Sequence, residues 1–360
     1  MSDCDFWELG LDGYMKQLRA AAKEKNIPFK GVFELTPRCN FDCNMCYVHL
    51  KPDEIPAVGR EFTTEEWISI AREAQEAGTI ELTLTGGEPF VRPDFREIYE
   101  AIHDMGFLIQ IFSNGYLLTE ETVEWLKKRP PHTMRFTLYG ASDETYEKVC
   151  GIKQGFTRVK HSVELLKKAG IPLYIVTTIT KDNEQDADAI YRFAIENRLP
   201  ITHTTSLVNP VRGASADAKN HQLEMELPPA EIIRQIRERS GGKYPRKKRE
   251  SFLDVCSNYR CGYWVTWNRQ MQLCTFLTEP AVEVHPGTFT DSWHKLLEEV
   301  SALKEPEECA SCKYEGYCDR CPGILYAEAG ENGKLVKSYC EKAEYNYILY
   351  GKPLGDEKTE

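Results

Sequence analysis

The 360 residues carry 45 basic against 56 acidic side chains, a formal charge of −11, and are 41% hydrophobic, as expected of a folded, soluble chain long enough for about two domains. No apolar run approaches the ~20 residues of a membrane span, and Met1-Ser2-Asp3-Cys4-Asp5 has neither the basic nor the apolar part of a secretion signal, so a cytoplasmic protein without membrane partners is expected. The acidic balance also argues against nucleic acid, whose phosphates demand clustered Lys and Arg; the one basic run, Lys243 to Arg249, is too short to change that.

Residues 1–29 have room for one helix ahead of the first strand signal. From residue 30 to about 206, β-branched or aromatic runs alternate with amphipathic helical stretches, the pattern of β/α units around a parallel sheet. Six strands are predicted: Val32 to Thr36, Ile80 to Leu84, Phe107 to Phe112, Thr133 to Leu138, Leu173 to Ile179 and Ile201 to Ser206. Thr63 with Glu66 three residues on marks a capping box, and Gly78, Gly106 and Gly170 stand where helices end. Six units fall short of a closed eight-unit barrel, so the fold class is α/β, a partial (β/α)6 TIM-like barrel, with its chemistry in the loops after the strands. Beyond Ser206, Asn209-Pro210-Val211-Arg212-Gly213 turns the chain and a helix is predicted from Pro229 to Ser240. A boundary near 245 then separates a core domain of residues 30–245 from a second domain, 246–350, ahead of a polar tail, 351–360. In the second domain Cys, Pro, Gly and Tyr grow dense and periodicity weakens, which predicts a region held together by metal rather than by a large apolar core.

Thirteen cysteines, an odd number, are expected to stay reduced in a cytoplasm, so repeated spacing points to metal ligation or catalysis. Cys4 and Cys150 stand apart and read as ordinary thiols. Cys39-x3-Cys43-x2-Cys46 directly follows the first strand and puts three thiolates on one loop at the catalytic rim. A four-iron cube bound by three thiolates keeps one iron open to a non-protein ligand; a zinc loop or three unconnected thiols share the spacing. Thr85-Gly86-Gly87-Glu88-Pro89 ends the second strand, where paired glycines permit close backbone approach and Glu88 offers a carboxylate to an ammonium. Alone, that motif is also a plain tight turn. Downstream, Cys309-x2-Cys312-x5-Cys318-x2-Cys321, followed by Cys340, taken by itself suits a zinc ribbon. Cys256, Cys261 and Cys274 raise the count there to eight, enough for two full four-thiolate sets.

The CxxxCxxC loop after strand one, with the GGEP motif after strand two, resembles the radical S-adenosylmethionine (SAM) superfamily. The resemblance implies that Cys39, Cys43 and Cys46 hold a 4Fe-4S cluster whose open iron chelates SAM. It also implies that Gly86, Gly87 and Glu88 contact SAM and that Tyr47 sits beside its adenine. Reduction of the cluster then cleaves SAM to methionine and a 5′-deoxyadenosyl radical, which abstracts hydrogen from the substrate. Asn114 in Ser113-Asn114-Gly115 matches a polar residue near the SAM ribose in relatives; a simple turn Asn is the alternative. Thr137 and Arg158 match a hydroxyl and an Arg that bind the SAM carboxylate, although an Arg on a helix is also an ordinary solvated residue.

The C-terminal cysteines resemble the SPASM extension of radical SAM enzymes. By that family's interleaved pattern, Cys256, Cys261, Cys274 and Cys321 would hold one auxiliary 4Fe-4S cluster and Cys309, Cys312, Cys318 and Cys340 a second, three clusters in all. Neither auxiliary cluster would keep an open iron, which favours electron transfer or support. The family often has Gly five residues before the third cysteine of this region; here the position is Arg269. The resemblance spans about residues 30 to 345.

Enzymes with this extension mostly modify ribosomally made peptides or proteins, so a radical SAM oxidoreductase that matures a peptide is expected, with flavodoxin or ferredoxin as electron donor. Sulfatase-maturing relatives carry Asp directly after the third cysteine, whereas Cys274 is followed by Thr275, which counts against that activity. The short segment before the first strand leaves no room for a leader-gripping module, so a separate leader-binding protein or recognition by the sheet edge is open. The alternative is a radical SAM enzyme acting on a small molecule in cofactor or haem biosynthesis. A non-catalytic iron–sulfur protein is disfavoured by the GGEP motif. No catalytic acid or base stands out. An anaerobic or oxygen-protected setting is expected for such clusters.

Overall fold

The computed structural model describes residues 10–240 and 251–351. The expected boundary near 245, the basic run from Lys243 to Arg249, Cys4 and residues 352–360 of the tail lie outside the described residues. Helix α1 (Gly10–Lys25) fills the place left for it ahead of the sheet. The chain continues through β1 (Lys30–Glu34), α2 (Ile55–Val58), α3 (Thr64–Glu76), β2 (Glu81–Thr85), α4 (Phe95–Asp104), β3 (Leu108–Ser113) and α5 (Glu120–Lys128). Next come β4 (Thr133–Leu138), α6 (Asp143–Cys150), α7 (Gly155–Ala169), β5 (Leu173–Thr178), α8 (Ala187–Glu196), β6 (Ile201–Thr204) and α9 (Ala230–Ser240). All six predicted strands are present, with ends shifted by no more than two residues. The Thr63–Glu66 capping box forms, and Gly170 closes α7 in a left-handed conformation, φ 72°.

Strands β1 to β6 pair in parallel in chain order, an α/β partial barrel. Burial alternates along β2, β3 and β4. Leu82, Leu84, Ile109, Ile111, Met134, Phe136 and Leu138 are shut against the helices. On the opposite face Thr83, Thr85, Gln110, Phe112, Arg135 and Thr137 are half-buried. A closed, filled barrel gives near-continuous apolar strands; the half-polar face marks a lumen left open by the missing units.

The cysteine-rich half departs from expectation in one respect. Strands β7 (Gly262–Val265), β8 (Gln270–Gln272) and β9 (Val282–Glu283) extend the barrel sheet, with β7 parallel to β1 and β8 and β9 antiparallel beyond it. Helix α10 (Phe289–Ser301) then buries Phe289, Trp293, Leu296 and Val300 in the main core. An apolar core shared with the barrel therefore holds residues 262–301, and metal is not needed to explain their order. Helices α11 (Pro322–Ala329) and α12 (Lys337–Asn346) follow. Gly31 makes the β1–β7 seam possible: a Cβ there would overlap the buried Tyr263 ring, whose hydroxyl is 3.1 Å from Thr79 Oγ1.

Candidate active site

The loop after β1 is pinned from two sides. Gly87 N donates to Thr36 O at 2.7 Å and Glu88 N to Arg38 O at 2.8 Å. A Cβ on Gly86 or Gly87 would run into the Thr36 or Arg38 carbonyl, so the close approach these glycines permit is that of the cysteine loop itself. From the other side, Asp42 N and Asn44 N each donate at 3.0 Å to Cys150 O and Val149 O at the end of α6. Cys39, Cys43 and Cys46 are thereby set around a cavity of about 200 Å³ that Tyr47, Thr85, Gly86, Gly87, Phe112, Asn114, Thr137 and Tyr139 also line.

Most of the residues singled out from sequence meet at this cavity, but two take other positions. Glu88 is fully buried and turned away from the wall: its carboxylate accepts from Asn114 N at 2.7 Å, Phe90 N at 3.2 Å and Ser113 Oγ at 3.0 Å. Burial pushes its carboxyl up to about 7 against the pull of those donors. Here Glu88 locks the end of β3 to the end of β2 instead of offering a free carboxylate. Arg158 is exposed on α7 with its guanidinium 4.9 Å from the centre of the Tyr116 ring, a cation–π contact at the rim. Asn114 donates to Asn40 Oδ1 at 2.8 Å and lies 3.8 Å from Cys39 Sγ.

Burial pushes the Cys39 thiol up and the Cys46 thiol to about 11, so ligand binding at these sulfurs must release protons. At Cys43 the first cause of an upward shift is contact with Cys150, followed by burial. Cys150, read from sequence as an ordinary buried thiol, thus stands against the three-cysteine loop. Its 107-residue separation from Cys43 hid that relation.

Sequence reading also missed the polar network that fills the lumen beside Tyr47. Arg212 donates to Glu34 Oε2 at 2.7 Å and to Thr275 O at 2.7 Å, and Trp264 Nε1 donates to the same Glu34 oxygen at 3.0 Å. Tyr47 packs on Phe276 at 5.1 Å, and its phenol, hydrogen-bonded to Thr275, is pushed up to about 12 by burial. An acidic residue within the apolar run Val32-Phe33-Glu34-Leu35 was the one available signal.

The downstream cysteines gather in two places. Cys274 faces Cys256 and Cys321, and Cys256 faces Cys261. Separately, Cys312 faces both Cys309 and Cys340. Arg269, at the position where relatives often have Gly, takes φ 70°, the conformation glycine favours, and pairs with Glu66. Among the described residues no three Cys, His, Asp or Glu side chains converge as a single metal ion requires. Three thiols around a cavity, Cys43 buried and Cys39 and Cys46 half-buried, fit the donor chemistry of an iron–sulfur cube, each sulfur serving its own iron.

Residues 33–194 match the sequence model of the radical SAM superfamily. That segment is a radical SAM domain, and the three-cysteine loop lies within it. The chain is similar to an AdoMet-dependent heme synthase of Methanosarcina barkeri, 28% identical over 354 residues, 91% of this chain and 98% of the relative. A PqqA peptide cyclase of Ruegeria pomeroyi is 30% identical over 169 residues, 47% of this chain and 44% of the cyclase. Streptococcus suis SuiB bound to its precursor peptide SuiA is similar in fold to this chain, with a TM-score of 0.62 at 18% identity over 87% of this chain and 76% of SuiB. No helix among the described residues is long and apolar enough to cross a membrane.

Proposed function

We propose that this radical SAM enzyme modifies a ribosomally made peptide, with Cys39, Cys43 and Cys46 holding the SAM-binding cluster at the loop cavity. When bound and reduced, that cluster supplies the 5′-deoxyadenosyl radical by cleaving SAM. Around it the chain positions and excludes. Gly86 and Gly87 seat the cysteine loop, Glu88 fixes the Asn114 backbone, Thr137 and Asn114 present polar groups to the cavity, and Tyr47 closes one wall. Arg158 is assigned the SAM carboxylate from the rim, a role that requires it to leave the Tyr116 ring.

The observation that carries the reading is the convergence of the three thiols and the paired glycines on one cavity at the C-terminal ends of β1 and β2. Two auxiliary 4Fe-4S clusters are assigned to Cys256, Cys261, Cys274 and Cys321 and to Cys309, Cys312, Cys318 and Cys340. The two gatherings of these thiols support that division. A peptide substrate is supported by the PqqA cyclase relative and by an open cleft of about 740 Å³ at the barrel mouth. Leu223, Met225 and Leu227 line it on one side, Glu341 and Tyr345 of α12 on the other. The C-terminal end of edge strand β6 leads towards this cleft: Thr205 and Ser206, just past it, line a smaller cavity that shares Leu223 and Met225 with the cleft. We assign the reductant to a flavodoxin or ferredoxin, the setting to an oxygen-protected cytoplasm, and leader recognition to this edge or to a separate protein.

A second reading, a tetrapyrrole or other small molecule as substrate, is favoured by the heme synthase relative, because that likeness spans nearly the full length of both chains. One experiment separates the two. Reduced enzyme with SAM is given either a panel of ribosomally encoded precursor peptides or a tetrapyrrole, and 5′-deoxyadenosine is measured. Stimulation by a peptide, with a mass change in that peptide, supports the first reading; stimulation by the tetrapyrrole alone replaces it with the second.

A further inference from the structure

The two gatherings of downstream cysteines stand in unlike charge surroundings. Lys30 opens β1 opposite Gly262 of β7, and its amide donates to Cys261 O at 3.1 Å. A Cβ at position 262 would come within 2.9 Å of Lys30 Cε and 3.0 Å of Cγ, so the glycine lets the lysine stem lie flat across the β7 backbone. That route delivers the ammonium to Ser257, whose Oγ accepts at 3.1 Å between Cys256 and Cys261 in the chain. Burial weighs against the Lys30 charge, and the two thiols it faces, Cys261 and Cys256, favour it. Lys23 and Arg19 of α1 also act on Cys261, but Asp254 and Glu81 pair with them, which leaves Lys30 as the cation that is not offset there.

At the other gathering the sign reverses. Arg320 is buried beside Cys309, but Glu305 at 2.6 Å and Glu315 at 3.2 Å neutralise it. Glu308 and Glu341, the latter paired with Lys337 at 3.3 Å, act on Cys340 from the same neighbourhood. Net charge and hydrogen bonding around the sulfurs set the potential of an iron–sulfur cluster, and a nearby cation favours the reduced, more negative state.

We propose that Lys30 raises the reduction potential of the cluster held through Cys256 and Cys261 above that of the cluster held through Cys309, Cys312 and Cys340. An electron shared between the two then rests on the one against β1. The proposal depends on the two-auxiliary-cluster reading above and concerns a residue that tunes a cluster without ligating it.

The test uses reconstituted protein carrying Cys39/Cys43/Cys46→Ala, which keeps auxiliary iron alone, titrated potentiometrically and followed by EPR. Two waves are expected, and the higher one disappears when Cys256→Ala is added. Lys30→Met moves the higher wave down, lowering its reduced-to-oxidised ratio at fixed poise by about tenfold or more, equivalent to about 59 mV for one electron. Lys30→Arg holds that wave in place, and the lower wave is the same in all variants. Should Lys30→Met lose iron, Lys30→Gln, which keeps a polar end towards Ser257, is measured in its stead. An unmoved higher wave in an iron-replete neutral variant overturns the proposal, as does loss of the lower wave with Cys256→Ala. Fewer than about eight irons in the parent variant fails the two-cluster reading itself and takes the proposal with it.

Discussion

Arg212 and Glu34, 178 residues apart in sequence, form an ion pair of 2.7 Å inside the lumen, with side chains only 7% and 3% exposed. Glu34 stands at the end of β1, where the cysteine loop begins, while Arg212 also holds Thr275 beside Cys274. The pair therefore ties the SAM-loop half of the site to the cysteine-rich half. Removing one partner leaves the other charge buried, so Arg212→Met should lower stability by about 3–5 kcal/mol. The Glu34→Gln/Arg212→Met double variant should recover part of that loss. Thermal unfolding of both variants checks this; a double variant no more stable than Arg212→Met would contradict it.

Cys150 lies against Cys43 but is not assigned to the cluster. Cys150→Ala should keep the iron of the SAM site and the cleavage of SAM, at a packing cost of about 1 kcal/mol for the lost sulfur. Loss of one cluster's worth of iron on this substitution would make Cys150 a fourth ligand and close the site that SAM needs.

Gly87→Ala should be far more damaging than its size implies. The added Cβ meets the Arg38 carbonyl, which is backbone and cannot swing aside. Overpacking of this kind costs about 1–3 kcal/mol, and because it is discharged by moving the cysteine loop, SAM binding should weaken by about 5- to 150-fold. Equilibrium binding of SAM to the reconstituted variant measures it.

Arg269 combines a left-handed backbone with a salt bridge to Glu66 and a guanidinium 5.4 Å from the centre of the Phe62 ring. Arg269→Gly and Arg269→Ala lose the same contacts, but only glycine escapes the left-handed cost of about 1–2 kcal/mol. The glycine variant should therefore unfold at the higher temperature. Equal melting points would show that the backbone there relaxes freely.

The strands and the three-cysteine loop were legible because their signals are local: hydrophobic alternation and thiol spacing are read within a few residues. Glu66 capping Thr63 is of the same kind. What escaped depends on distant partners. Nothing near Gly262 announces that β7 lies beside β1, and nothing near Cys150 announces Cys43. Glu88 shows a further limit. Its position in the motif could be read, but besides Phe90 N close by, the donors that claim its carboxylate come from β3 and the turn that follows it.

The most direct test of the account is anaerobic reconstitution followed by iron and sulfide analysis, then reduction with SAM and chromatography for 5′-deoxyadenosine. Wild type is compared with Cys39/Cys43/Cys46→Ala. The account predicts about twelve irons in wild type, about eight in the variant, and 5′-deoxyadenosine from wild type alone. Bound zinc in place of iron, or a full complement of iron without SAM cleavage, would contradict it.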